Sequence, residues 1–366
     1  MNYIGACSGK ERKKMSLNTD TSKKGKMDFP ELIRKYLPLW VALSILMAMI
    51  VGYYTPEVKV LNPAIPFFLF IMLYPMMISL KVEDIGRALK DMKLVSVAVF
   101  MNFLLTPILG ALWAHILFRN ADPYLTVGFI LKVTVPCSGM VAAWTGYARG
   151  KVESALIVVA LSLILAIFLV PFWMWAVAGF YVTIDPLIIF KNMLLVVVLP
   201  LLAGLSTRRL LIRKYGMKSY KERIAPFFPA ISTCGMLIMV FIIISAQALL
   251  IIPNYHWMLI IILGIATLYP LLFGLTILCS KLLRIDYGNG IALGYGSTAR
   301  NHAITIGVAT TAFSGTLAML PAAVAPAIQI PLMLFFLKFS GGIKRFLGEV
   351  KSSHVASTAQ QKITTS

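Results

Sequence analysis

Long apolar blocks, each about long enough to cross a bilayer and bounded by charged or turn-forming residues, dominate this chain. In hydrocarbon every backbone polar group must be satisfied within the protein, so blocks of this length are read as transmembrane helices. Composition agrees: 59% of the 366 residues are hydrophobic, 13% are charged, and the mean hydropathy is +0.84, far too apolar for one soluble domain. The expected fold class is all-α integral membrane. Residues 1–35 are polar and basic and lack the short apolar core of a cleavable signal peptide, so the first block is expected to be retained. Cys7, Cys137, Cys234 and Cys279 show no paired spacing, which suggests free thiols instead of a disulfide framework or a zinc site.

Ten spans are expected, at 36–54, 62–80, 94–118, 124–147, 154–180, 186–207, 226–250, 256–280, 287–313 and 316–337, with the turn Ser314-Gly315 separating the last two. Lys and Arg concentrate in alternate connections. If the N-terminus is cytoplasmic, the inner segments hold the basic residues of the tail, then Lys81 to Lys93, Arg149 and Lys151, Arg208 to Arg223, and Lys281 and Arg284. The outer loops hold only Lys59 and Arg119. The net charge of +20 is thereby accounted for by topology and anionic lipid headgroups; no basic face with interleaved aromatics suggests nucleic acid. The resulting division is a basic cytoplasmic tail (1–35), a first five-helix repeat (36–180), a second (181–338) and a polar cytoplasmic tail (339–366). Five spans per repeat force the second copy to run through the membrane in the opposite sense, an inverted repeat with broken, crossing helices at spans 4 and 9.

Those two spans carry matched interruptions: Thr134-Val135-Pro136-Cys137-Ser138-Gly139-Met140 and Gly294-Tyr295-Gly296-Ser297-Thr298-Ala299-Arg300-Asn301-His302. Pro136 has no amide hydrogen, and Gly139, Gly294 and Gly296 tolerate open backbone, so peptide groups should lose their helical partners there. Such breaks are tolerated at membrane depth where they line a protein-enclosed cavity, and paired breaks in two halves point to a secondary transporter. A proline kink without function is the alternative for Pro136. The stretches 136–139 and 297–301 should lie within about 10 Å of each other, outside regular helix.

Arg300 stands about a dozen residues from either end of its span, roughly 18 Å at 1.5 Å per residue, too far to reach an interface easily. An intramembrane ionisable residue is a functional candidate, with a structural cation tying down the carbonyls of a broken helix as the alternative. Lys132 is a weaker candidate, since it could reach water at the outer surface. All fourteen Asp and Glu residues fall in tails, loops or span ends. Without a central carboxylate, coupling to H+ or Na+ would need His302, which can titrate, or neutral oxygens of Asn102, Thr106, Thr298, Asn301 and Gln329. No catalytic nucleophile and base pair or metal cluster suggests an enzyme, and no cofactor is implied.

At these motifs the chain resembles the bile acid, arsenite and riboflavin transporter superfamily, and within it the arsenite efflux permeases. The likeness lies in Pro136-Cys137-Ser138-Gly139-Met140-Val141 with Trp144, in Leu199-Pro200-Leu201-Leu202-Ala203-Gly204 with Thr207-Arg208-Arg209, in Ser297-Thr298-Ala299-Arg300-Asn301-His302, and in Ile330-Pro331-Leu332-Met333-Leu334. The resemblance implies a ten-span fold with panel and core subdomains, transport of metalloids or organic anions, and a required cysteine at Cys137. Trivalent arsenic and antimony are soft and prefer thiolate, and a single thiol permits reversible, transient contact. The chain departs from the pattern where those permeases carry a glutamate in the ninth-span motif, here Arg300-Asn301-His302-Ala303, and an acidic residue before the tenth-span proline, here Gln329.

The first reading is therefore an arsenite or antimonite exporter in the plasma membrane, both termini cytoplasmic, with Pro136, Cys137, Ser138, Thr298, Arg300 and Asn301 as substrate contacts. The second is a sodium-coupled symporter of an organic anion, with Arg300 facing the anion. Topology is testable by itself: single cysteines introduced within 208–223 and within 254–256 should label from opposite faces of the cell, and labelling from one face contradicts ten spans.

Overall fold

The computed structural model describes residues 36–78 and 91–348, and among them the structure is helical throughout, with one isolated β-bridge. The expectations for 1–35, Cys7, the basic stretch 81–90 and the tail beyond 348 lie outside the described residues. The helices are α1 (Leu37–Tyr54), α2 (Ile65–Ile78), α3 (Met92–Phe100), α4 (Thr106–Leu117), α5 (Pro123–Thr134), α6 (Met140–Tyr147), α7 (Val152–Ala176) and α8 (Pro186–Met193). They continue with α9 (Leu199–Ser219), α10 (Phe227–Ile251), α11 (Tyr255–Leu282), α12 (Tyr287–Thr298), α13 (His302–Ala312), α14 (Leu320–Lys338) and α15 (Ser340–Leu347).

Seven of these helices or continuous helix runs are long and apolar enough to cross a membrane, namely Leu37–Tyr54, Met92–Leu117, Val152–Phe180, Pro186–Ser219, Phe227–Ile251, Tyr255–Leu282 and Leu317–Lys338. Large apolar side chains such as Leu39, Phe67, Phe168, Leu195 and Leu259 stand exposed on their outer surfaces, where lipid is the natural solvent. The chain is thus a multi-pass membrane protein. Two shorter apolar helices follow the same pattern, Phe67–Ile78 within α2 and Pro123–Thr134, which is α5; α6, α12 and α13 have 8, 12 and 11 residues.

Acidic residues mark the helix starts. Asp91, Asp122, Asp185 and Asp286 each accept a hydrogen bond from a backbone amide in the first turn of α3, α5, α8 and α12, and proline at the first position of α5 and α8 costs nothing because that amide is unpaired anyway. This is why the carboxylates read as lying at span ends.

Two short π-helical turns, Met101–Leu105 and Leu194–Val198, precede Pro107 and Pro200. A proline cannot donate to the carbonyl four residues back, and a wider turn relieves its ring clash. The carbonyl freed by Pro107 is that of Phe103, and the Trp173 indole Nε1–H donates to it at 2.7 Å, which ties α7 to the turn between α3 and α4.

Packing falls into two groups. One joins α1, α2, α9 and α10; the other joins α4, α5, α6, α7, α11, α12 and α14, and α13 and α14 touch both. Close approach depends on small residues: a Cβ on Gly52 would come within 2.2 Å of the Ser245 carbonyl of α10, and one on Gly204 within 2.9 Å of the α2 backbone. The turn between the ninth and tenth expected spans is closed by Gly315 at φ +75°, a left-handed position glycine adopts without strain.

One expectation needs correction. Residues 208–219, expected in a loop, continue α9 as helix, with a kink at Gly216 (φ +77°), because their long polar side chains favour helix and Arg208 is buried against the protein. After α14 the chain continues as α15, whose Leu347 packs on Gly290 while Lys281 donates to the Phe346 carbonyl.

Removing the donor at Phe103 should be measurable. Trp173→Phe leaves a carbonyl in the membrane interior unsatisfied and should cost about 1–3 kcal/mol, lowering the thermal unfolding midpoint in detergent. Trp175→Phe, at a position 56% exposed on the same helix, should leave the midpoint unchanged.

Candidate functional site

The breaks expected in spans 4 and 9 meet directly. α5 ends at Thr134 and α6 begins at Met140; α12 ends at Thr298 and α13 begins at His302. Between them the Ser138 amide donates to the Ala299 carbonyl at 2.8 Å, and the Asn301 amide to the Pro136 carbonyl at 2.9 Å. These two bonds make Cys137 and Arg300 an antiparallel β-bridge, the isolated one of the fold. Backbone groups orphaned by one broken helix thus satisfy those orphaned by the other. Their flanks agree: Lys151, after α6, pairs with Asp286, which caps α12, and Gly128 of α5 packs on Ala318, beyond the end of α13.

The second interruption is shorter than expected. Gly294, Gly296, Ser297 and Thr298 all lie inside α12. The two glycines serve packing there, with a Cβ at Gly294 falling 2.9 Å from the Phe273 ring and one at Gly296 2.7 Å from Val158. Ser297 and Thr298 donate back to the Gly294 carbonyl, which satisfies both hydroxyls within the helix. The open stretch is Ala299 to Asn301, and the Asn301 side chain closes it by accepting from the Ile304 amide as the cap of α13.

Arg300 is fully buried. Its guanidinium donates to the Val135 carbonyl (3.1 Å), the Ser297 carbonyl (2.9 Å) and the Thr106 hydroxyl (2.9 Å). Its own carbonyl accepts from the Gln329 amide of α14 at 3.1 Å. Val135 and Ser297 stand at the C-terminal ends of α5 and α12, where the helix dipoles are negative, so one cation serves both ends without a carboxylate. Among the described residues the salt bridge found is Lys151 with Asp286, remote from the crossing. Arg300 Nε and the hydroxyl of Tyr269, which lies within electrostatic reach of it, remain buried without a partner.

Cys137 is fully buried and its thiol lies 3.0 Å from the Ser162 hydroxyl of α7. Soft sulfur also touches the second break: Met333 Sδ accepts from the Thr298 hydroxyl at 3.8 Å and Met76 Sδ from the Asn301 amide at 3.9 Å. Lys132, expected to reach water, is instead fully buried in the last turn of α5, with Nζ 3.1 Å from His302 Nδ1. Two positive charges at that distance would repel by about 5 kcal/mol at an effective dielectric constant of 20, so the pair holds at most one charge.

The other candidates surround this crossing. Thr106 donates to the Met101 carbonyl while accepting from Arg300, and the Asn102 amide donates to the Ala98 carbonyl. The oxygens Asn102 Oδ1, Ser138 Oγ and Gln329 Oε1 are buried without a partner. Pro136, Cys137, Ser138, Thr298, Arg300, Asn301, Thr106 and Gln329 are therefore linked in one network, whereas the Asn102 amide bonds back along its own helix. Ser162, Met76 and Tyr269 escaped notice in the sequence, each one residue inside an apolar span without a spacing signal, and Met333 stood out only as part of the motif around Pro331. A groove of about 520 Å³, lined by Val95, Ser96, Phe103 and Leu169 among others, has none of these residues in its lining.

A profile of the Sodium Bile acid symporter family matches residues 66–254, half of the chain. The chain belongs to the sodium bile acid symporter family. Among its relatives are the Arsenical-resistance protein Acr3 of Alkaliphilus metalliredigens, 25% identical over 337 residues covering 86% of this chain and 94% of that protein. The Acr3 of Corynebacterium glutamicum is 22% identical over 82% of this chain and 86% of its own length. The probable sodium/metabolite cotransporter BASS1, chloroplastic, of Arabidopsis thaliana is 25% identical over 80% of this chain and 70% of its own length. As a member of the bile acid symporter family the chain is a membrane transporter.

If Arg300 holds both helix ends, its loss should loosen the crossing. Arg300→Gln leaves the Val135 and Ser297 carbonyls short of a donor and should cost about 2–5 kcal/mol, read as a lower unfolding midpoint in detergent. Arg300→Lys keeps the charge but not the fork and should fall between wild type and Arg300→Gln. Equal midpoints for all three proteins would contradict the role.

Proposed function

We propose that the protein exports trivalent arsenic or antimony species across the plasma membrane by alternating access. The observation that carries this reading is the placement of Cys137: a single thiol at the point where the two broken spans pair, opposite Arg300. A soft metalloid binds a thiol in preference to the hard oxygens around it, and one sulfur allows release. Likeness to two arsenical-resistance proteins over most of the chain supports the same substrate class. Pro136, Ser138, Thr298, Arg300 and Asn301 shape the site around the thiol. Because Cys137 is buried, a substrate can reach it only when the elements covering the crossing move apart, which is the motion alternating access supplies.

The architecture we infer for this cycle is ten spans in an inverted five-plus-five repeat, 36–180 and 181–338, with both termini cytoplasmic. The pairing of Lys151 with Asp286, and of Gly128 with Ala318, supports opposite chain directions in the two broken spans. The short break of each span is where half-helices meet a substrate at the midplane.

A second reading, sodium-coupled symport of an organic anion, is favoured by one observation: Arg300 and Lys132 are buried cationic side chains with no carboxylate beside them among the described residues. An anion would neutralise that charge, with Na+ as the coupling ion and Asn102, Thr106 and Gln329 as oxygen donors.

Expression in arsenite-sensitive cells separates the two. Cys137→Ser should reduce arsenite resistance at least tenfold at unchanged protein abundance, because a hydroxyl is a hard donor. Full resistance in Cys137→Ser cells would contradict the thiol contact and leave the anion reading.

A further inference from the structure

We propose that Lys132 and His302 together form a one-proton site that couples the transport cycle to proton movement, an inference that rests on the chain being an alternating-access carrier. The two residues come from opposite broken spans: Lys132 from the last turn before the break of the fourth, His302 from the first position after the break of the ninth. Their nitrogens are 3.1 Å apart, Lys132 is fully buried and His302 is 7% exposed. A structural pair of this kind would ordinarily be a cation with a carboxylate. Here both members are bases that exchange protons, and neither has an acidic partner among the described residues.

The chemistry follows from that composition. In the loaded state the Lys132 ammonium donates to Nδ1 of a neutral His302 ring, whose hydrogen is on Nε2. The C-terminal end of α5 favours the cation on Lys132 over the ring at the amide end of α13. On release one ammonium N–H bond breaks, the proton passes to water on the face then open, and the neutral amine stays bonded to Nδ1. No change of tautomer is needed. His302 Nε2 is buried without a partner, so the ring keeps one donor for water. Because the pair spans both breaks, any motion that separates the half-helices also separates the proton's two holders.

The surrounding groups leave this pair as the titrating element. Arg300, within electrostatic reach of Lys132, keeps its charge at all working pH values, and Tyr269 and Cys137 face Arg300. On the helices packed against α5 and α13, His115 of α4, Glu153 of α7, Lys191 of α8 and Lys338 of α14 are exposed, and Tyr74 of α2 is bonded to Thr207.

The test uses the full-length protein in proteoliposomes with arsenite as substrate and trapped pyranine as proton reporter. An acidic interior should speed arsenite uptake at least fivefold, with alkalinisation of the lumen. Lys132→Gln and His302→Gln should each lose that stimulation while keeping arsenite exchange at equal pH, which also shows that they fold. Retention of stimulated uptake and lumen alkalinisation in either variant would overturn the proposal. If both variants lose exchange, wild type decides: arsenite uptake with no pyranine change overturns it, and a coupled change supports it. Wild type with no arsenite exchange contradicts the export reading instead; the pyranine measurement then runs with taurocholate, and silence there too overturns the proton site.

Discussion

Every feature of the crossing depends on how Arg300 is held. A guanidinium in the middle of an apolar chain is costly to desolvate, and the usual remedy, a buried carboxylate, is absent among the described residues. The breaks supply the substitute. Each leaves a helix with unpaired carbonyls, and Arg300 donates to one at the end of α5 and one at the end of α12. The arginine needs the breaks for its hydrogen bonds, and the breaks need the arginine for theirs. Two backbone bonds and the Asn301 cap complete the exchange, so a local violation of helix rules becomes a satisfied junction.

The same economy explains the composition of the site. Carboxylates are placed where water reaches them, as caps of α3, α5, α8 and α12, and the depth of the protein is left to thiol, hydroxyl, amide and cationic groups. Sulfur is well represented around the crossing, with Cys137 at the first break and Met76 and Met333 against the second. Such surroundings suit a soft, weakly charged substrate. The same surroundings leave Lys132 and His302 bonded to each other, two bases without a carboxylate among the described residues.

Much of this was legible in the sequence because membrane helices leave strong traces. The seven helices or helix runs long enough to cross a membrane fall on seven of the ten expected segments, since apolar length and flanking charge are decided by the bilayer and not by partner helices. The two breaks were visible as polar residues and a proline in otherwise apolar runs. Their extent was not: Gly294 and Gly296 signal open backbone when read alone, but in the fold they admit Phe273 and Val158 and the helix runs on to Thr298. Lys132 shows the same limit. Its distance from a span end suggested a route to water, whereas the partner that takes its charge is 170 residues away in sequence. Contacts of that range, like those of Ser162 and Tyr269, follow from how the halves dock and carry no local spacing.

The central claim is that a thiol at the paired breaks meets a soft metalloid, and X-ray absorption at the arsenic edge tests it most directly. Purified protein loaded with arsenite should show one sulfur in the first shell of arsenic, and the Cys137→Ser protein should show oxygen alone. A first shell of oxygen alone in wild type, or a sulfur that persists in Cys137→Ser, would contradict the account.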